Sequence, residues 1–530
     1  MAIHPANAST ELLAWLRTPQ AYPHRPQAVE HVETHISHVF LAGDLVYKLK
    51  KGVRFPFLDF STLEQREHAC REELRLNRRL AEHVYLDVIP VRRGPAGQFT
   101  LGEDPDDRGE VVEWLVQMRR LPAERMLDSL YHHGELRPYH IDQLAALLAR
   151  FYASAPRAPF TEEAYRQRCL AHVGENRESL RNSLPAGQAA LVERVHAFQL
   201  QILRLRPELF DARVQAGRIV EGHGDLRAEH VCLTEPIAIF DCIEFREEFR
   251  QLDLADEIAF LVADCDFLGA EWIGPRLVHR FGQLSGDRPP AVLLDFYKAY
   301  RACVRGKVAA LRALQLEGSE KEKATHEALA HLEFADRYAA PHQHPLVLVV
   351  GGLSGTGKTT LARRLAEELS ARPISSDVVR QEFFGGSGAA DEVGAGKYSP
   401  EQRLRVYEEM LRRASDLQRD GLSVVLDATF QNTEPLHAAH DLARDQQAVF
   451  LAVECECPPD VALERISRRQ VEGRDASEAH AEVYDQQARA RAPWPETIPH
   501  VRVDSTTPLN VQAERVLERV RDIIRGDASR

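Results

Sequence analysis

The hydrophobic positions of this chain change their period along its length. Residues 346–350 (Leu, Val, Leu, Val, Val) form an unbroken apolar run, the pattern of a strand buried on both faces of a parallel sheet. After a short polar loop, Leu361, Ala362, Leu365 and Ala366 recur at helical spacing. Strand-like and helical stretches alternate from there to the end, which predicts an α/β domain over 346–530 with a parallel sheet wrapped by helices. Earlier stretches read differently. Residues 30–118 are strand-rich with one amphipathic helix over 62–81, and 119–338 are mostly helical apart from a strand-like segment near 231–245. Residues 338–345 carry two prolines and no periodicity, so they are the expected linker. Gly385 to Ala390 and the last few residues are expected to be disordered.

Length and charge narrow the classes. A chain of 530 residues favours about three to four compact units. With 44% hydrophobic and 28% charged residues the composition is that of an ordinary globular protein, and no stretch approaches the roughly 18 apolar residues of a membrane span. The N-terminus has neither a basic start nor an apolar core, so a cytoplasmic location without membrane partners is expected. The eight cysteines lack zinc-site spacing, and Cys455 and Cys457 fit alternation along a strand. Net charge is −13, and 346–530 hold 24 Lys and Arg against 30 Asp and Glu, which makes nucleic acid a less favoured partner.

The first chemistry-bearing motif follows the apolar run. Residues 352–359 read Gly-Leu-Ser-Gly-Thr-Gly-Lys-Thr, a complete G-x-x-x-x-G-K-[ST] phosphate loop between a strand and a helix. Gly352, Ser354, Gly355, Thr356, Gly357 and Thr360 would supply backbone N–H groups and Lys358 would reach the β/γ oxygens. Thr359 would hold Mg²⁺ by its hydroxyl. ATP or GTP is the implied ligand.

Three later segments select among P-loop proteins. Asp377 and Arg380 in Pro-Ile-Ser-Ser-Asp-Val-Val-Arg, Asp427 ending Val-Val-Leu-Asp, and Arg465, Arg469 and Arg474 resemble the corresponding elements of gluconate, polynucleotide and zeta-toxin-like kinases. The resemblance implies that Asp377 meets the acceptor hydroxyl, Arg380 steers the substrate and Asp427 serves the metal. Arg469 and Arg474 would belong to a lid that neutralises transferring charge. The glycine-rich loop from Phe383 to Tyr398 carries Asp391, Glu392 and a single Lys397, which suits a flap over a small hydroxylated metabolite better than an oligonucleotide groove.

A second constellation lies upstream. His223-Gly-Asp-Leu-Arg-Ala-Glu-His230 followed by Ile239-Phe-Asp241 resembles the H-x-D-x-x-x-x-N plus Asp signature of the aminoglycoside phosphotransferase and choline kinase families. The resemblance implies an α+β bilobal protein-kinase-like domain, with an N-terminal extension and N-lobe over 1–118 and a helical C-lobe over 119–337. Asp225 would be the base and Asp241 a metal ligand. Lys48, with Lys50 as the alternative, would hold phosphates and pair with Glu73, better placed than Glu72. Met118 would border the adenine. His230 stands where the signature has asparagine. Imidazole nitrogen suits Mg²⁺ poorly, which leaves three alternatives: a weakened kinase, one using Mn²⁺ or a single metal, or a nucleotide-binding domain without catalysis. Arg301, Arg305 and Lys307 share an expected helix, as a solvated face or as an anion site. A fused, ATP-dependent phosphotransferase with two nucleotide-binding modules is the expectation. A nucleotide-binding regulatory protein or a polynucleotide 5′-hydroxyl kinase are the alternatives, and oligomeric state is left open.

Overall fold

Six strands between residues 29 and 119 pair antiparallel into one sheet in the order Val29–Glu33, Ser37–Ala42, Leu45–Lys50, Glu110–Arg119, Tyr85–Arg93, Phe99–Leu101. The structure, a computed structural model, describes residues 10–55, 58–102, 109–342, 344–384, 399–472 and 481–527. The chain forms two units, each assembled from two stretches: Met1–Thr161 with Arg213–Ala302, and Glu162–Ala212 with Cys303–Arg530. Among the described residues, no helix is long and apolar enough to cross a membrane.

In the first unit the helix Leu63–Ala81 starts at a capping box. Thr62 Oγ1 accepts the Gln65 amide while the Gln65 side chain accepts the Thr62 amide, so two otherwise unpaired donors are satisfied. Its inner face buries Cys70, Glu73, Leu76 and Asn77, and Arg66 reaches Glu113 on the strand Glu110–Arg119 at 2.8 Å. A short hairpin, Val231–Cys232 against Ala238–Ile239, follows the His223 segment. Its Val231 and Ile239 share a core with Leu226 and with the helices Pro138–Ser154, Leu254–Phe267 and Ile273–Ser285. Asp253 caps Leu254–Phe267 by accepting the Ala255 amide.

The second unit is built on a five-stranded sheet in the order Arg372–Ser375, Val424–Asp427, Leu346–Gly351, Val449–Glu456, His500–Asp504. All neighbours are parallel. Leu346, Leu348 and Val350 pack under the helices Lys358–Leu369 and Leu509–Asp527. Val347 and Val349 face the opposite core with Pro400–Arg419 and Thr433–Asp445. Burial of both faces is why the central strand reads as a continuous apolar run.

The units do not divide at the expected 338–345 linker. Helix Gly318–Ala339 runs into it and a 3-10 turn, Ala340–His342, follows. Within the second unit, helix Ala189–Leu205 packs beside the P-loop sheet. Leu205 lies in the core of Leu346 and Leu361, Arg204 Nε pairs with Glu368 Oε2 at 2.6 Å, and Gln201 donates to Ser423 Oγ at 3.0 Å. This helix is buried on nearly every face, so its periodicity carries no direction, and the stretch 119–337 that reads as one helical lobe is shared between the units.

Candidate functional site

At the carboxyl edge of the parallel sheet, the turn after Gly351 brings the loop backbone against its neighbours. A Cβ on Gly352 would lie 2.6 Å from the Cys455 carbonyl oxygen, and one on Gly355 would lie 2.5 Å from that of Ala462. Both glycines also have positive φ, so no other residue fits this tight cradle. Ser354 and Thr356 are buried. Thr356 Oγ1 donates to the Leu353 carbonyl at 2.8 Å, so this hydroxyl shapes the loop. Gly357, at φ 83°, precedes helix Lys358–Leu369, which Lys358, Thr359 and Thr360 open with their amides directed into the turn.

Asp427 ends the strand beside Leu346–Gly351 and is buried, with Oδ1 lacking a hydrogen-bond partner among the described residues. Burial pushes its carboxyl above the usual range, against the pull of Lys358 and the Thr359 hydroxyl, while Asp377 pushes it further up. Asp427 pairs in register with Val350 just before the phosphate loop and with Ser375 just before Asp377, so Lys358, Thr359 and Asp377 all act on this one buried carboxylate. Thr359 and Asp427 offer only oxygen, the donor set that Mg²⁺ takes, and the unpartnered Oδ1 fits a ligand there. Asp377 opens helix Ser376–Phe384 directly after strand Arg372–Ser375, and its Oδ1 accepts Arg380 Nη1 at 2.6 Å. Arg380 therefore orients Asp377.

The lid arginines divide. Arg465 on helix Pro459–Glu472 is tied to Ser505, with Nη1 to Oγ at 3.0 Å and Nη2 to the carbonyl at 2.9 Å, so it fastens the helix to the end of the sheet. The Arg469 side chain, Arg474 and loop residues 385–398 lie outside the described residues. Sequence reasoning missed three groups here. Tyr407 Oη accepts the Phe430 amide at 3.0 Å. Trp494 Nε1 donates to the Phe430 carbonyl at 3.1 Å. Gln487 Oε1 accepts the Ser354 amide at 2.9 Å. None belongs to a short motif, and only tertiary packing assembles them.

The site in the first unit is organised by ion pairs. Lys48 Nζ lies 2.9 Å from Glu73 Oε1 and 2.7 Å from Asp241 Oδ1. Lys50, two residues on and on the same strand face, is fully buried between Glu73 and Glu244. Glu73 therefore bridges both lysines, whereas Glu72 pairs with Arg75 in solvent. Burial works against charge on Asp241, but Lys48, with His230 behind it, outweighs that and holds the carboxyl far below its usual range. Asn77, four residues after Glu73, accepts the Cys242 amide at 2.9 Å and so ties the helix to the Asp241 segment.

Glu257 positions the His223 segment: it accepts the amides of His223 at 2.7 Å and Gly224 at 2.9 Å, and the Tyr152 hydroxyl at 2.6 Å. Asp225 Oδ2 is engaged by Arg227 Nε at 3.1 Å. His230 Nδ1 contacts the Asp225 carbonyl at 2.9 Å, and because a carbonyl only accepts, Nδ1 carries the proton. Nε2 then faces Arg227 Nη2 at 3.2 Å and Asp241 Oδ2 at 3.6 Å. This mixed nitrogen and oxygen pair does not match the all-oxygen shell of Mg²⁺. Met118 is buried with Val46, Val116, Cys232 and Ala238. Arg301 is neither a solvated face nor an open anion site: it is buried against Asp256 through two 2.7 Å contacts and reaches the Gly224 carbonyl at 3.3 Å.

Residues 347–494 match the sequence model of a family described as an AAA domain. A cytidylate kinase of Methanocaldococcus jannaschii is 30% identical over 125 residues, 24% of this chain and 65% of that protein. The solved Mycobacterium tuberculosis APS kinase CysC in complex with AMPPNP and APS is 18% identical with a TM-score of 0.26, covering 34% of this chain and 98% of its own. Uncharacterized protein Rv2004c of M. tuberculosis is 35% identical over 478 residues, 87% of this chain and 90% of that protein. At that identity across nearly the whole of both sequences, the chain belongs to the family of the mycobacterial protein Rv2004c.

Proposed function

We propose that the P-loop unit is an ATP-dependent phosphotransferase acting on the hydroxyl of a small metabolite. The observation that carries this reading is the register that pairs Ser375 with Asp427, which sets Asp377, two residues on, at the carboxyl edge beside the Asp427 carboxylate on which Lys358 and Thr359 also act. Asp377 lies on its own helix, oriented by Arg380, where it would serve as the base for an acceptor hydroxyl beside the phosphate loop. In this reading Lys358 holds the β/γ oxygens, and Thr359 and Asp427 hold Mg²⁺, which would supply charge neutralisation. Asp377 takes the proton of the acceptor hydroxyl as that oxygen bonds to the γ-phosphorus. The bond from phosphorus to the β–γ bridging oxygen breaks, and the nucleoside diphosphate leaves with its electron pair. Similarity to a cytidylate kinase over 125 residues supports phosphoryl transfer. The net charge of −6 over 346–530 favours a small acceptor over an oligonucleotide.

The test is transfer from γ-labelled ATP to a panel of sugars, polyols, nucleosides and a 5′-hydroxyl oligonucleotide by the full chain. Asp377→Asn should keep ATP binding and abolish labelled product. Labelled product at the parent rate from Asp377→Asn removes the residue from the reaction, and salt-sensitive labelling of the oligonucleotide alone overturns the small-metabolite reading.

For the first unit we infer a kinase-like nucleotide site whose role is regulatory. Asp225 is occupied by Arg227, and the nitrogen of His230 that faces Asp241 is also close to Arg227, so neither group is free to take a proton or hold Mg²⁺ in this reading. ATP binding by a Lys358→Ala chain, without turnover under Mg²⁺ or Mn²⁺, is the expected result. Mn²⁺-selective turnover in that variant would instead identify an altered kinase.

A further inference from the structure

Helix Ala481–Ala490 and the residues after it run across the mouth of the phosphate loop at three anchor points. Tyr484 is buried in a small core with Leu353, Ala462 and Ile466. Arg491 pairs with buried Glu454 and lies 3.5 Å from Glu456, at the carboxyl end of strand Val449–Glu456. The Ala492 amide donates to the Gln431 carbonyl at 3.0 Å, and the Trp494 ring lies over Gly351, where a Cβ would meet it at 2.5 Å. Between the first two anchors, Gln487 sets its carboxamide oxygen 2.9 Å from the amide nitrogen of Ser354, a loop residue that is itself buried.

That contact fixes the orientation of the carboxamide. Oε1 is the only acceptor of the side chain and the loop amide holds it, so Nε2, with two N–H bonds, is what Gln487 offers to a ligand. The amides of such a loop cradle the α/β-phosphates of a nucleotide, and Lys358 reaches the β/γ oxygens from the helix end. Ser354 belongs to the opposite limb, the one delivered by strand Leu346–Gly351, so a donor mounted there stands across the loop from Lys358, the group that reaches the β/γ end. We propose that Gln487 is a specificity residue for the nucleoside triphosphate, donating from Nε2 to the terminal phosphate and so distinguishing it from the diphosphate. Being neutral, it reads the phosphate without adding to the charge that Lys358 already supplies. Its rigid mounting keeps the entropy of ordering it low.

The proposal rests on the phosphate-loop reading, and the experiment separates the two. Fluorescent mant-ATP and mant-ADP are titrated against the full chain, Lys358→Ala, Gln487→Leu and Gln487→Glu. The Lys358-dependent part of the signal belongs to the loop. Gln487→Leu should weaken that part about ten-fold for mant-ATP and leave mant-ADP unchanged, the loss of one hydrogen bond to a charged group. Gln487→Glu keeps the acceptor for Ser354 and replaces the donor by a negative charge, so its loss for mant-ATP should be larger, again with mant-ADP spared. Equal losses for both nucleotides, no change, or tighter mant-ATP binding in Gln487→Leu overturn the role of Gln487 alone. Parent-like binding of both nucleotides by Lys358→Ala overturns the phosphate-loop reading, and this proposal with it.

Discussion

The two candidate sites treat charge in opposite ways. In the first unit the acidic side chains are already matched: Lys48 and Lys50 share Glu73 and reach Asp241 and Glu244, and Arg227 holds Asp225. In the P-loop unit Asp427 is buried with one oxygen unpartnered among the described residues, and burial wins over Lys358 to keep its carboxyl above the usual range. A matched cluster is stable without ligand, so a ligand entering it must break ion pairs that already compensate burial. An unmatched carboxylate behind a phosphate loop costs free energy until a ligand arrives, and binding recovers that cost. In the reading proposed above, this contrast goes with chemistry at the second site and a sensing role at the first.

The sharpest way to break this comparison is Lys358→Ala. If the P-loop unit is the reacting one, losing the ammonium should lower phosphoryl transfer by the full chain by on the order of 10²-fold or more, measured with γ-labelled ATP. A variant that retains most of its turnover would move the chemistry to the other site.

Next in size is Glu257→Gln. Glu257 accepts the amides of His223 and Gly224 together with the Tyr152 hydroxyl, all in a fully buried setting. Replacing one carboxylate oxygen by an NH₂ group turns an acceptor toward donors. The expected cost is roughly 3 kcal/mol. It should show as faster amide hydrogen exchange over 219–262 and unchanged exchange over 346–369. Equal destabilisation of both stretches would contradict the separate organisation of the two units.

Much of the P-loop unit was legible in sequence because its signals are local. The run at 346–350, the glycine spacing and the carboxylate ending Val424–Asp427 are each fixed by a few neighbouring residues, and the sheet that assembles them is parallel throughout. Arg380 was legible as a site residue but not as the partner of Asp377, since the i,i+3 contact depends on where helix Ser376–Phe384 begins. Gln487 and Glu257 were not legible, because each acts on backbone amides more than 30 residues away in sequence, and no spacing rule encodes such a contact. Nor was the allegiance of helix Ala189–Leu205, whose all-round burial erases the stripe that would point to a partner.

A smaller effect probes the matched site itself. His230 is held by the Asp225 carbonyl with Nε2 toward Asp241. His230→Asn exchanges that nitrogen for an amide oxygen, a ligand better suited to Mg²⁺. In the Lys358→Ala background, a rise of about ten-fold in Mg²⁺-dependent turnover would make the histidine a weak ligand in an otherwise competent site. No rise is the expected outcome, because Arg227 still occupies Asp225.

The smallest expected effect concerns acid stability in the second unit. His196 lies buried on helix Ala189–Leu205, and its Nδ1 has no hydrogen-bond partner among the described residues. Burial, assisted by Arg177 and opposed by Glu193, pulls its pKa down to about 4. The folded state therefore keeps the ring neutral between about pH 6.5, where the unfolded chain takes up the proton, and pH 4. Over that window the unfolded state binds more protons, so stability falls as pH falls, by on the order of 1–2 kcal/mol at pH 5. His196→Leu removes the titrating group and should flatten this limb. The check is the urea midpoint of the full chain at pH 7 and pH 5, followed by fluorescence. The drop between the two pH values should be smaller in the variant than in the parent, and an unchanged drop would assign the acid sensitivity to other groups.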